Sequence, residues 1–225
     1  ARSANIRIVE IDATKPWSST LEGISVAMTP TQDSLWTSDS HKSGHGAEAA
    51  ETKPSVFFWL SLVNSARSAE IIAQDLMRLV PAEADTIKAN LVDVRSKLME
   101  LQRNSELALL NASDITVFSL APELVYFTSE QSLFVDGSFY KQDIEWTSED
   151  TTALEKHLKD NQIGVVLHKW EPAEPILNAI KAANAKLVVI ETLDAGIAKK
   201  GHMLPDSYFM LMEKNLDNLR AVLVE

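Results

Sequence analysis

The side chains with the clearest capacity for chemistry in this sequence are histidines and carboxylates, and the chemistry they suggest is metal coordination. His41 and His45 stand four residues apart in the segment HKSGHG. Two neutral imidazoles can share a divalent cation, but a metal site normally needs about three or four convergent ligands. This segment holds glycine and shows no helical periodicity, so the spacing fixes no geometry and a solvated pair is the simpler reading. His168 ends the apolar run IGVVLH, and Glu191 ends AKLVVIE with Asp194 close behind. Strand carboxyl ends in parallel sheets face the ligand crevice, which makes Glu191 the best-placed carboxylate. A lone histidine such as His168 at such an end is more often held by a hydrogen bond than by a metal. His157 and His202 fall in a predicted helix and a loop, without evident partners. Trp59 and Trp170 read as packing residues.

Other chemistries lack their residues. The absence of cysteine removes disulfides, thiolate metal sites and thiol catalysis together. The seven glycines fall in none of the phosphate-cradling spacings, and neither a GxSxG elbow nor an HExxH helix occurs, so no enzyme is expected. A net charge of −11 argues against nucleic acid or an anionic membrane surface as partner and is compatible with a cation ligand. No apolar run approaches the ~20 residues a membrane span needs.

The elements that must position these groups are organised around PAEADTIKANLVDVRSKLMELQRN. Ile87, Leu91, Val94, Leu98 and Leu101 recur at steps of four and three, one stripe of a long helix opened by Pro81. Before it, IRIVEI (residues 6–11) reads as a short strand. Residues 14–54, rich in Ser, Thr, Gly and Pro, read as a long loop, mobile around 37–54. A helix follows from Asn64 to Leu79, with Ala69, Ile72, Leu76 and Leu79 on one face. After the long helix, strands alternate with helices: strands at 115–120, 133–139, 164–168 and 186–191, helices at 122–129, 148–160, 172–183 and 206–222. Ser148 is the predicted N-cap of the second of these helices. Strands that alternate with helices indicate an α/β fold with a parallel, helix-covered sheet, and IGVVL and AKLVVI are runs buried on both faces. Three parts result: a residual N-terminal lobe (1–80, one strand plus the histidine-bearing loop), a long linking helix (81–111), and a C-terminal βα lobe (112–225).

Taken together, these segments resemble a known family. Phe58-Trp59-Leu60-Ser61, Asn64, Ala69, Ile72 and Leu76, then Asn90, Val94, Leu98 and Leu101, resemble the solute-binding proteins of bacterial zinc and manganese ABC importers. There a DPHxWLxPxNA motif precedes a helix, and a long helix links two lobes. The similarity continues through Pro122, Tyr126 and Phe127 (family H-[DP]-A-F-x-Y-[FL]), Val135-Asp136-Gly137-Ser138-Phe139, IGVVLHKWEPAEP, AKLVVIETLD and SYFMLMEKNLDNL. It covers essentially residues 3–225, and the His-bearing loop lies where zinc-binding members carry a histidine-rich one.

The resemblance implies a zinc or manganese ligand, a membrane subunit of an ABC importer as partner, and a periplasmic or cell-envelope location. Two departures matter. Most of the N-terminal lobe is absent, IRIVEI resembling its last strand, so Ala1 reads as a processed terminus or a cut within a longer chain. The ligands are also replaced: one family histidine falls on Phe57 and another on Ala121, neither of which can coordinate. Glu191 is then the surviving counterpart of the acidic ligand, and His41 and His45 are the remaining candidates. A metal-type solute-binding protein with a degenerate site and a metal-independent envelope accessory protein both remain open, as do bound metal and none. A homodimer or a partner protein is expected to cover the face left by the missing lobe.

Overall fold

Pro81 separates two long helices. The computed structural model describes residues 12–16, 18–19, 21–30, 53–193, 196–199 and 202–224. Helix α1 (Leu62–Leu79) begins at Ser61, whose side chain accepts the N–H of Asn64. A 3-10 turn at Pro81–Glu83 then leads into α2 (Ala84–Leu109), 26 residues long. The predicted stripe is the side of α2 turned inward: Leu98 is buried, and Ile87, Leu91, Val94 and Leu101 are half-buried. Helix α2 lies against α1 and against α6 (Ser207–Leu223).

The inward face of α1 differs from the predicted one. Leu62, Asn64, Ile71, Ala73 and Asp75 are its buried residues, whereas Ile72, Leu76 and Leu79 are 53%, 44% and 56% exposed. Apolar spacing misplaces the face because two buried positions are polar, and each has its partner. Asn64 Oδ1 accepts from the Ser25 N–H at 2.8 Å and its Nδ2 donates to the Ser25 carbonyl at 3.1 Å. The carboxylate of Asp75 accepts from Arg78 at 2.6 Å.

Four parallel strands form the sheet: β1 (Thr116–Ser119), β2 (Phe134–Ser138), β3 (Val165–His168) and β4 (Lys186–Val189), in the order β2-β1-β3-β4. Side chains alternate across it, as the period of two requires. Val117, Val165 and Leu167 join a core with α2 and α6 residues Leu98, Met212, Leu216 and Leu219. Phe118 and Val166 face the other way, onto Leu154 and Leu158 of α4 (Ser148–Asp160) and Ile176 and Ile180 of α5 (Glu174–Ala182). The parallel, helix-covered sheet is thus as the sequence predicts. Thr147, not Ser148, caps α4: its side chain accepts from the Asp150 N–H while the Asp150 carboxylate accepts from the Thr147 N–H, a reciprocal capping box.

The chain leaves β1 through α3 (Val125–Glu130) toward β2 and leaves β3 through α5 toward β4. The loops after the two central strands therefore diverge, and a crevice opens between their carboxyl ends. A two-residue antiparallel pair, β5 (Ala198–Lys199) and β6 (His202–Met203), was not predicted; it places His202 in a strand, with its side chain exposed.

The described part of the N-terminal segment is pinned to the C-terminal half. Isolated bridges join Ser18 to Leu21 and Met28 to Pro54, so the 53–54 end of the predicted loop is paired. The Ala27 N–H donates to Tyr126 Oη at 3.0 Å. The predicted strand at 6–11, most of the loop, and His41 and His45 lie outside the described residues.

Candidate metal centre

The positions to which the resemblance assigns ligands gather at the carboxyl-end side of the sheet. Ala121 follows β1 and is buried, in the same core cluster that Phe57 and Leu193 pack against. Phe57 precedes the 3-10 turn Phe58–Leu60, its ring edge-on to Trp59 with centroids 5.5 Å apart. Trp59 ties this turn to the end of β4, because its indole N–H donates to the Thr192 carbonyl at 2.7 Å. Tyr208 closes the group from α6, its Oη 2.9 Å from the Trp59 carbonyl oxygen and 2.8 Å from Ser65 Oγ. Burial pushes the Tyr208 phenol up, which keeps it protonated as a donor.

Glu191 stands where the last strand ends, with its backbone fixed on both sides. Its N–H donates to Asn215 Oδ1 and its carbonyl accepts from Asn215 Nδ2, both at 2.8 Å. Its carboxylate is engaged as well: Lys214 Nζ lies 2.5 Å from Glu191 Oε1. Phenyl and methyl groups bring no lone pair to Phe57 and Ala121, so the one carboxylate among these three positions faces an ammonium of its own chain. No group of three or more histidine, aspartate or glutamate side chains able to hold a metal occurs among the described residues. Asp194, like His41 and His45, lies outside them.

The remaining histidines sit apart. His157 Nε2 is 3.1 Å from Asp136 Oδ2, beneath β2, and its ring meets Phe118 edge-on. His168 is buried, and its Nδ1 accepts from the Lys169 N–H at 2.7 Å, the hydrogen-bonded role expected of it. Sequence reasoning missed Lys214 and Asn215. They sit 23 and 24 residues beyond Glu191 in a helix whose polar residues look like an ordinary solvated face, and no local spacing signals the return.

A parallel βα lobe, backed by a long helix and meeting a short N-terminal segment at its strand ends, defines the class of the protein. It has the architecture of a solute-binding component of an importer. The chain belongs to the family of the zinc-uptake complex component A, periplasmic, whose model matches residues 7–222. It is 26% identical over 164 residues to the zinc-binding protein AdcA of Streptococcus pyogenes serotype M18 (strain MGAS8232), covering 72% of this chain and 32% of that protein. The chain thus spans about a third of the length of the curated relatives it matches. Among solved structures it resembles a mutant of FpvC from Pseudomonas aeruginosa, with TM-score 0.70, 18% identity, and 89% of this chain and 68% of that one covered. It also resembles Zn(II)-bound AdcA from Streptococcus pneumoniae, with TM-score 0.65, 20% identity, and coverage of 77% and 38%. FpvC has further been solved with Ni2+ and with Mn2+. These likenesses establish the α/β solute-binding fold. No described helix is long and apolar enough to cross a membrane.

Proposed function

We propose that the chain is a divergent metal-class solute-binding protein of an ABC importer whose metal site is degenerate. The Lys214–Glu191 ion pair supports this reading, because it sets an ammonium of the chain itself on the carboxylate left at the family's ligand positions. Zinc and manganese are the metals the family suggests, the importer's membrane subunit the partner, and the cell envelope the location. Within this reading residues 81–111 link an N-terminal part, 1–80, to a C-terminal βα lobe, 112–225.

Thermal unfolding of EDTA-stripped protein, with and without excess zinc or manganese, tests it. A ligand specific for the folded state adds about 2.7 kcal/mol at ~100 times its Kd. The degenerate site predicts no such stabilisation from either metal. A shift of several degrees that Glu191→Gln, or joint replacement of His41 and His45, abolishes would instead establish a rebuilt site.

The half-exposed apolar stripe Ile72, Leu76 and Leu79 favours a second reading, an envelope accessory protein that kept the fold and works through protein partners or a homodimer. Association with the purified importer membrane subunit separates the two: the solute-binding reading requires it, the accessory reading does not.

A further inference from the structure

We propose that the crevice between the carboxyl ends of β1 and β3 is a second ligand site, separate from the Phe57–Ala121–Glu191 positions, and that it takes a small organic cation, an alkylammonium or guanidinium. The inference is independent of the metal reading. It begins with topology: the loops leaving β1 and β3 diverge at this point, which is where open parallel sheets place their ligands. A cavity of about 280 Å³ lies there, lined by Glu123 from the first loop, Lys141 beyond β2, and His168, Lys169 and Trp170 from the other. That volume is at the small end of the roughly 300–1,000 Å³ range of ligand pockets.

The chain's own Lys169 shows which chemistry the crevice accepts. Its Nζ lies 4.4 Å from the centroid of the Trp170 ring and is ion-paired with Glu123 Oε1. An aromatic face with a carboxylate beside it is a cation box, and here a tethered ammonium occupies it. The box has acceptor capacity to spare. Among the described residues Glu123 Oε2 is buried and has no hydrogen-bond partner, and neither has buried Asp143 Oδ1, 3.9 Å from His168 Nε2. A buried acceptor without a donor is costly, so each favours a ligand that brings N–H groups.

The lining carries two lysines against one carboxylate, but both lysines are already paired, and Asp143 behind His168 adds a second carboxylate. Lys141 is taken by Asp150 at 2.7 Å, and Lys169 by Glu123. The other oxygen of Asp143 accepts a backbone bond, from the Ala173 N–H at 2.9 Å. His168 does not compensate it. Its Nδ1 is an acceptor for the Lys169 N–H, so the ring proton sits on Nε2, which faces Asp143 Oδ1 across 3.9 Å, beyond hydrogen-bond reach. Burial further holds this imidazole in its neutral form. The ring lies 5.2 Å from Trp170 and adds a second flat wall. Trp170 itself is 47% exposed, so an incoming cation reaches the indole without unfolding anything.

The experiment uses the full chain with 5-fluorotryptophan in EDTA, the Trp170 signal being assigned by Trp170→Phe. Butylammonium and methylguanidinium chloride are titrated at constant ionic strength, with sodium butyrate as the anionic control. The cations are expected to move the Trp170 signal saturably and to raise the Tm, while butyrate does neither. Lys169→Met removes the competing ammonium and is expected to tighten cation binding about tenfold, which is 1.4 kcal/mol. Trp170→Leu, a change at an exposed position, removes the indole face and is expected to abolish the cation-induced rise in Tm, and this Tm readout is decisive if loss of Lys169 unfolds the protein. Absence of a saturable cation response in the wild type and in Lys169→Met overturns the proposal. Saturation by butyrate instead also overturns it, since the lysines would then be the recognition groups.

Discussion

The indole N–H of Trp59 donates to the carbonyl of Thr192 at 2.7 Å, joining the turn that opens α1 to the end of β4, 133 residues away in sequence. This bond, with Tyr208 behind it, holds Phe57 and Glu191 to the same end of the sheet. Trp59→Phe keeps most of the ring and removes the donor to the half-buried Thr192 carbonyl. A loss of about 1 kcal/mol is expected, a net hydrogen bond's worth, or roughly 2–4 °C in Tm for a chain of this size. An unchanged Tm would mean that the two segments are held together by packing alone.

Gly137 in the motif VDGSF is fixed by close approach. A Cβ at this position would meet Phe118 Cε2 at 2.8 Å and His157 Nε2 at 3.1 Å. Phe118 is wholly buried and cannot step aside, so Gly137→Ala is expected to destabilise by about 1–3 kcal/mol in urea unfolding, the usual penalty of overpacking. Gly137 is therefore required by packing where β2 meets Phe118 and His157; an alanine variant of wild-type stability would contradict this.

His168 makes stability depend on pH. Burial is the largest influence and lowers its folded pKa, with Lys169 lowering it further and Asp143 and Glu123 acting in the opposite direction. The unfolded imidazole, with its ordinary value near 6.5, takes up a proton first as pH falls. The unfolded state then binds more protons, so stability declines below about pH 6.5 until the folded pKa is reached and levels off beneath it. His168→Gln is expected to flatten that part of the profile. A wild-type profile that stays level from pH 7 to 5, compared with the variant's, would count against a neutral buried ring.

Much of the fold was legible because period and composition decide it. IGVVL is too continuously apolar for a one-sided strand, and β3 is buried on both faces as such a run requires; AKLVVI misled, since β4 at the sheet edge buries Val188 and leaves Leu187 and Val189 half-buried. The α1 face was misread because Asn64 and Asp75 are buried through hydrogen bonds, which apolar spacing does not register. The α4 cap moved by one residue because Thr147 and Asp150 satisfy each other, a pairing available to the sequence reader only as a three-residue spacing. At the candidate metal centre Phe57, Ala121 and Glu191 are positions that the resemblance alone supplies. Lys214 could not, since its partner is set by how α6 packs on the sheet.

The proposed degeneracy of the site makes one constructive prediction. Phe57→His together with Ala121→His restores imidazoles at two positions of the family pattern, and with Glu191 gives three side-chain ligands, enough for an open zinc site completed by water. In that background Lys214 still competes for Glu191, so the zinc response of the double variant is expected to be weak. Adding Lys214→Met removes the competitor. By itself this change costs no more than about 1 kcal/mol, because the pair is substantially exposed. The triple variant is then expected to show a zinc stabilisation larger than the wild type's, several degrees at ~100 times Kd, measured against its own EDTA baseline because histidine at buried Ala121 crowds the core. Equal zinc responses with and without Lys214 would show that the ammonium does not occupy the cation's place. If neither variant responded to zinc, the three positions would not converge, and the metal ligands would have to be sought elsewhere in the chain.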